Sequence, residues 1–331
     1  MSNRDIGFSL WLDFVERDFL RSQFPQMIEQ GIINGATSNP SIFAQAISSS
    51  AAYKEQLAQL GKMDPKEKYE ALAVVDIRSA AQELRECYDR GSDGYISIEV
   101  DPFLSNDTQG TIDEGKRLFA AIDEPNVMIK VPATEAGYDA MTELLSTGIS
   151  VNATLIFSPT QAKRCLKAMK KGLDAFEASG GGRCEAVISV FVSRFDRLLD
   201  AELEQHGITP AMTGIYNAAK IYNMIEKNHT PSVRTLFAST GVKGDNLPAD
   251  YYIRELLAPH SVNTAPLDTI KAYMADKEGS PKLPIDDEVI NGYFTKLADN
   301  GFDMDEIYDR LLKDGLKAFE EAFTQMLETL K

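Results

Sequence analysis

The sequence predicts an α/β protein built as a (β/α)8 barrel with additional helices, including a C-terminal helical extension. Short, β-rich apolar runs alternate with longer helical stretches along almost the whole chain. Such alternation implies right-handed crossovers and a parallel sheet. Eight runs can be read, the number that closes such a sheet into a barrel. In order they are 7–14 (GFSLWLDF), 35–39 (GATSN), 95–101 (YISIEVD), 127–133 (VMIKVPA), 149–157 (ISVNATLIF), 185–193 (EAVISVFVS), 235–240 (TLFAST) and 261–266 (SVNTAP). The second, seventh and eighth are polar, and their assignment leans on even placement.

The helical stretches carry start signals. Asn39-Pro40-Ser41, Asn106-Asp107 and Ser158-Pro159 each stand just before a helical pattern, and a capping side chain followed by Pro favours a first turn. The run Ser179-Gly180-Gly181-Gly182-Arg183 lacks the GK[ST] ending of a phosphate-cradling loop and precedes a strand, so it reads as a helix-to-strand connection. One barrel domain is expected over residues 1–331. Two helical segments occupy 41–94, after the second strand, where one would suffice. Beyond residue 280, 285–300 and 304–330 read as amphipathic helices packed on the barrel exterior.

The 331 residues include 34 Lys and Arg against 50 Asp and Glu, a formal net charge of −16. That balance opposes binding to nucleic acid or to an anionic membrane surface. No apolar run reaches the ~18 residues of a membrane span. The N-terminal Met-Ser-Asn-Arg-Asp has no signal-peptide pattern, and Cys87, Cys165 and Cys184 are odd in number and widely spaced. A soluble cytoplasmic protein is expected.

Parallel barrel strands are buried on both faces, so an ionisable residue within one is costly unless partnered. Three runs break this rule: Asp13 in LWLDF, Glu99 in ISIEV and Lys130 in VMIKV. Each lies near the C-terminal end of its run, where barrel active sites form. Singly, Asp13 could cap a helix starting at Glu16, and Glu99 could pair with Lys130 as a purely structural ion pair. Together, with strands three and four adjacent, Glu99 and Lys130 would stand roughly 5 Å apart and share one mouth with Asp13.

A lysine among Val127, Met128, Ile129 and Val131 is desolvated, which disfavours its charged form; a neutral amine can condense with a carbonyl. The resulting iminium is an electron sink for cleavage of a neighbouring carbon–carbon bond, and a carboxylate can take the proton of a hydroxyl one carbon further. No metal or cofactor is required, and His206, His229 and His260 lack metal-ligand spacing. Thr37, Ser38, Asn39, Asn152, Thr154, Ser189, Ser239, Thr240, Asn263 and Thr264 supply a polar lining at strand ends suited to a polyhydroxylated substrate. Lys243, after the seventh strand, is a candidate phosphate contact. Arg194 could serve likewise, or pair with Asp196 or Asp200.

The segments TSNPSIF (37–43), SIEVD (97–101), MIKVPAT (128–134), ISVNATLIFS (149–158), VISVFVSRFD (187–196) and LFASTGVK (236–243) resemble, in order, those of transaldolases. The resemblance implies a class I Schiff-base transferase of the non-oxidative pentose phosphate pathway, moving a dihydroxyacetone unit between sugar phosphates. Lys130 falls on the Schiff-base lysine and Asp13 on the acid–base aspartate. Glu99 and Thr154 fall on the pair that works through a water. Asn39, Asn152 and Ser189 match residues that hold substrate hydroxyls, Phe191 an aromatic beside the imine, and Arg194 a basic position near the phosphate. Ser239 belongs to the substrate lining. Lys243 stands in a STGVK variant of the segment where many relatives carry a phosphate-binding Arg. The chain is expected to act as a monomer or homodimer on small sugar phosphates.

Two alternatives remain open in the sequence. Fructose-6-phosphate aldolases share the scaffold but typically carry Gln at the Glu99 position and Tyr at the Phe191 position, and are much shorter. A non-catalytic sugar-phosphate-binding barrel would have no use for a desolvated amine.

Overall fold

Each of the eight runs forms a strand, and the strands pair in chain order: β1 (Phe8–Asp13), β2 (Gly35–Thr37), β3 (Ile96–Glu99), β4 (Val127–Pro132), β5 (Val151–Ile156), β6 (Ala186–Phe191), β7 (Val233–Ala238) and β8 (Ser261–Ala265). All pairings are parallel, and β8 returns to β1 to close the barrel. The computed structural model describes residues 6–244, 246–275 and 279–331. The N-terminal pentapeptide discussed above lies outside them.

Strand limits differ from the sequence reading by one or two residues, most clearly at β7, which starts at Val233 instead of Thr235. Arg234 makes that start look like a loop. Its guanidinium is instead buried, 2.9 Å from the Asp93 carboxylate.

Helix α1 (Arg17–Glu29) follows β1, while α2 (Pro40–Ser49), α3 (Lys54–Leu60) and α4 (Pro65–Asp89) lie between β2 and β3. Next come α5 (Thr108–Ile122), α6 (Glu135–Ser146) and α7 (Pro159–Ala178), each in its own crossover. Two helices, α8 (Ser193–Gln205) and α9 (Thr213–Lys227), separate β6 from β7, and α10 (Tyr251–Glu255) precedes β8. The described chain ends in α11 (Leu267–Ala275), α12 (Asp287–Asp299) and α13 (Met304–Thr329).

The start signals are used as read. Asn39 accepts from the Ile42 amide, Asp107 from the Gly110 amide, and Ser158 forms a reciprocal capping box with Gln161. Glu16, not Asp13, caps α1 by accepting from Phe19. Ser179 ends α7, and Gly180 turns the chain toward β6 at φ 82°.

Trp11, Met128, Val187, Leu236 and Val262 pack together inside the barrel. Side chains two residues apart share a strand face, so the next inward positions toward the C-terminal ends are Asp13, Lys130, Ser189, Ala238 and Thr264. The apolar layer is thus the floor of a polar mouth. Gly35 pairs with Trp11 in register, and a Cβ there would collide with the indole. The other end of the barrel is tied by Trp11 Nε1, which donates to Asp93 at 2.8 Å, and by Arg234, which also reaches Ser9. The three cysteines are free and buried, and burial pushes the thiols of Cys165 and Cys184 up.

Helix α13 runs over the C-terminal rim. It packs on α2, α4, β5 and the 3-10 turn Pro102–Leu104. Tyr308 donates to Asn217 Oδ1 at 2.9 Å, and Lys68 Nζ holds the Leu330 carbonyl at 2.8 Å.

Breaking the ion pair between Arg234 and Asp93 strands a buried carboxylate. Arg234→Met should therefore cost about 3–5 kcal/mol, read as a lowered denaturant midpoint with the barrel's circular dichroism retained below it.

Candidate active site

The floor of the mouth is apolar and its wall is not. A cavity of about 200 Å³ opens there, lined by Asp13, Lys130, Ser189 and Thr264 from strand ends, Arg194 from α8, and Phe319 from α13, among others. Glu99 and Lys130 are direct neighbours in the β3–β4 register, as are Lys130 and Asn152 between β4 and β5.

Lys130 is 6% exposed; its Nζ donates to the Ser38 carbonyl at 3.2 Å and lies 3.5 Å from Glu99 Oε2. Burial raises the Glu99 carboxyl to about 7, with the Lys130 charge opposing the shift. Asp13 also titrates above its ordinary value. Loss of water is the main cause, partly offset by Lys130 and by a 2.7 Å hydrogen bond from Thr37. Thr37 and Thr264 hydroxyls are 2.6 Å apart, so Asp13 sits in a small polar chain.

Asn152 donates to Ser97 Oγ at 2.9 Å and accepts from Ser189 Oγ at 2.6 Å. Asn39 spends its side-chain oxygen on the α2 cap, which leaves its amide NH2 for the mouth. Thr154 Oγ1 and both Glu99 oxygens are buried without a protein hydrogen-bond partner. Buried polar atoms of this kind are normally met by ordered water.

Asp13, Asn39, Lys130, Ser189, Phe191, Arg194 and Ser239 line the cavity together. Glu99, Asn152 and Thr154 are buried and do not line it. Lys243 is exposed and outside the lining. Arg194 makes no ion pair with Asp196 or Asp200: Asp196 is taken by the Gly214 amide and Tyr252 hydroxyl, and Asp200 by the Ala211 amide. The Arg194 guanidinium lies 5.3 Å over the Phe191 ring instead, and burial together with the nearby Arg197 lowers its pKa. Ser239 adopts φ 55°, with its hydroxyl 3.0 Å from that of Ser193.

Sequence reasoning missed Phe319, Ala238 and Ser41 as lining residues. The available signal for Phe319 was Gly315, set in the buried face of α13 where a larger apolar residue would be expected. Among the described residues, no group of three or more His, Cys, Asp or Glu side chains converges as metal ligands would. No helix among them is long and apolar enough to cross a membrane.

Fold and cavity define a (β/α)8-barrel enzyme with a buried lysine at the base of its C-terminal mouth. The family model described as transaldolase/fructose-6-phosphate aldolase matches residues 10–330, and the chain belongs to that family. It is 44% identical to a transaldolase of Campylobacter jejuni (strain RM1221), covering 98% of this chain and 99% of the relative. It is 43% identical to a transaldolase of Helicobacter pylori (strain ATCC 700392 / 26695), covering 97% and 99%.

Raising a buried carboxyl's pKa favours folding only while the proton is kept. The contribution of Glu99 is complete below 4.5 and is lost as pH rises through about 7. Against a non-titrating Glu99→Gln variant, the parent should lose relative stability over that window, by up to ~3 kcal/mol, as followed by denaturant titrations at successive pH values.

Proposed function

We propose that the chain performs the transaldolase reaction through an imine on Lys130, moving a dihydroxyacetone unit from fructose 6-phosphate or sedoheptulose 7-phosphate to erythrose 4-phosphate or glyceraldehyde 3-phosphate. The observation that carries the reading is the Lys130 amine buried at the base of a polar cavity, 3.5 Å from Glu99, with Asp13 in the same wall.

The amine adds to the ketose C2, and loss of water gives the iminium. Glu99 and Thr154 move the protons of this dehydration through a water, a role supported by their buried oxygens, which lack a hydrogen-bond partner, and by the shift of Glu99 to about 7, near neutrality. Asp13 takes the C4 hydroxyl proton. The C3–C4 electrons flow into the iminium, leaving an enamine on Lys130 and a free aldose. Its elevated carboxyl pKa suits Asp13 to return that proton when the enamine adds to the acceptor aldehyde.

Asn39 and Ser189 hold hydroxyls of the three-carbon unit, with Ser239 in the wall beside them, and Asn152, behind the lining, acts on the same unit through the hydrogen bond it accepts from Ser189. Phe191 covers one side of the imine. Arg194 meets the phosphate, and Lys243, on the loop after β7, is the second cation assigned to it. Transfer rather than simple cleavage is favoured by Glu99 and Phe191, where the aldolases carry Gln and Tyr. A cytoplasmic setting and a monomer or homodimer as the working state belong to the same proposal.

Borohydride reduction with fructose 6-phosphate should add a permanent mass to the peptide containing Lys130; active protein with Lys130 unmodified would refute its role. Lys130→Ala should abolish turnover, whereas Asp13→Ala should slow cleavage by roughly 10²-fold or more yet still permit trapping. Dihydroxyacetone released at full rate without acceptor would overturn the transferase assignment.

A further inference from the structure

The mechanism above gives no part to Phe319, although its ring centroid is 5.9 Å from Lys130 Nζ and it lines the same cavity. Its position is built into the fold. One turn earlier, Gly315 lets the α13 backbone pass so near the barrel that a Cβ would lie 3.0 Å from Leu155 Cδ2 and 3.3 Å from Arg194 Nη1. Leu155 itself sits at an irregularity of β5 with φ 59°. One turn later, Phe323 packs edge-on to Tyr69, with centroids 5.6 Å apart, and near Phe103 at 6.3 Å. With Tyr308 and Leu330 also tied, α13 is anchored on both sides of Phe319.

After cleavage, Lys130 carries a three-carbon enamine that must persist until an acceptor arrives. Its competing fate is hydrolysis. The enamine carbon takes a proton to restore the iminium, water adds to the C=N carbon, and the C–N bond breaks. One water is consumed, free dihydroxyacetone departs, and the Lys130 amine is regenerated without redox change. An apolar side chain held over the nitrogen restricts that water.

Resting on the imine reading of Lys130, we propose that Phe319 is a specificity-determining residue that shields the covalent three-carbon intermediate from water and so sets the ratio of transfer to release. The test compares the parent with Phe319→Ala, Phe319→Leu and Phe319→Gln. Each is given fructose 6-phosphate with or without erythrose 4-phosphate; free dihydroxyacetone, sedoheptulose 7-phosphate and the borohydride adduct at Lys130 are measured. Phe319→Ala should raise the release-to-transfer ratio about fivefold or more, Phe319→Gln should do the same, and Phe319→Leu should restore the parent ratio. If alanine prevents folding, the contrast between Leu and Gln decides.

An unchanged ratio with the adduct intact, or equal loss of both products, overturns the proposal and leaves Phe319 a packing residue. Absence of the adduct in the parent overturns the Lys130 reading itself, and this inference with it.

Discussion

The site depends on the register between β3 and β4, which sets Glu99 directly beside Lys130. A buried amine and a buried carboxyl each cost free energy alone, and neighbouring positions let each offset part of the other's desolvation. Because strand side chains alternate, a one-residue slip of either strand would turn its charged group out of the barrel and leave the other unpartnered inside. The close-packed interior holding Trp11, Met128, Val187, Leu236 and Val262 is therefore part of the chemistry. It fixes which layer of side chains faces the mouth.

Much of this was legible because charges inside apolar runs violate a simple burial expectation. Asp13, Glu99 and Lys130 stood out for that reason, and their strand placement followed. Arg234, another charge inside a strand, went unread at the start of β7; its partner, Asp93, is remote in sequence. Cap assignment depended on distance along the chain, so Glu16 displaced Asp13 once the turn was fixed.

Phe319 was hidden for a different reason. Periodicity reveals that α13 has an apolar face but not which surface that face meets. The docking is set by contacts far apart in sequence, including Gly315 against Leu155 and Lys68 with Leu330. Lys243 shows the converse: a motif position can be recognised while its side chain stands outside the cavity lining. Arg194 lay between these cases, since its carboxylate neighbours in sequence proved to be committed to other donors.

The buried cysteines carry a consequence for durability. Peroxide attacks the thiolate, and a thiol that holds its proton reacts slowly. Cys184, pushed up to about 11, and Cys165, shifted further in the same direction, present almost no thiolate at neutral pH. Oxidative inactivation through either sulfur would first require α7, which carries Cys165, or the loop before β6, which carries Cys184, to open, which ties their chemical lifetime to the rate of local unfolding.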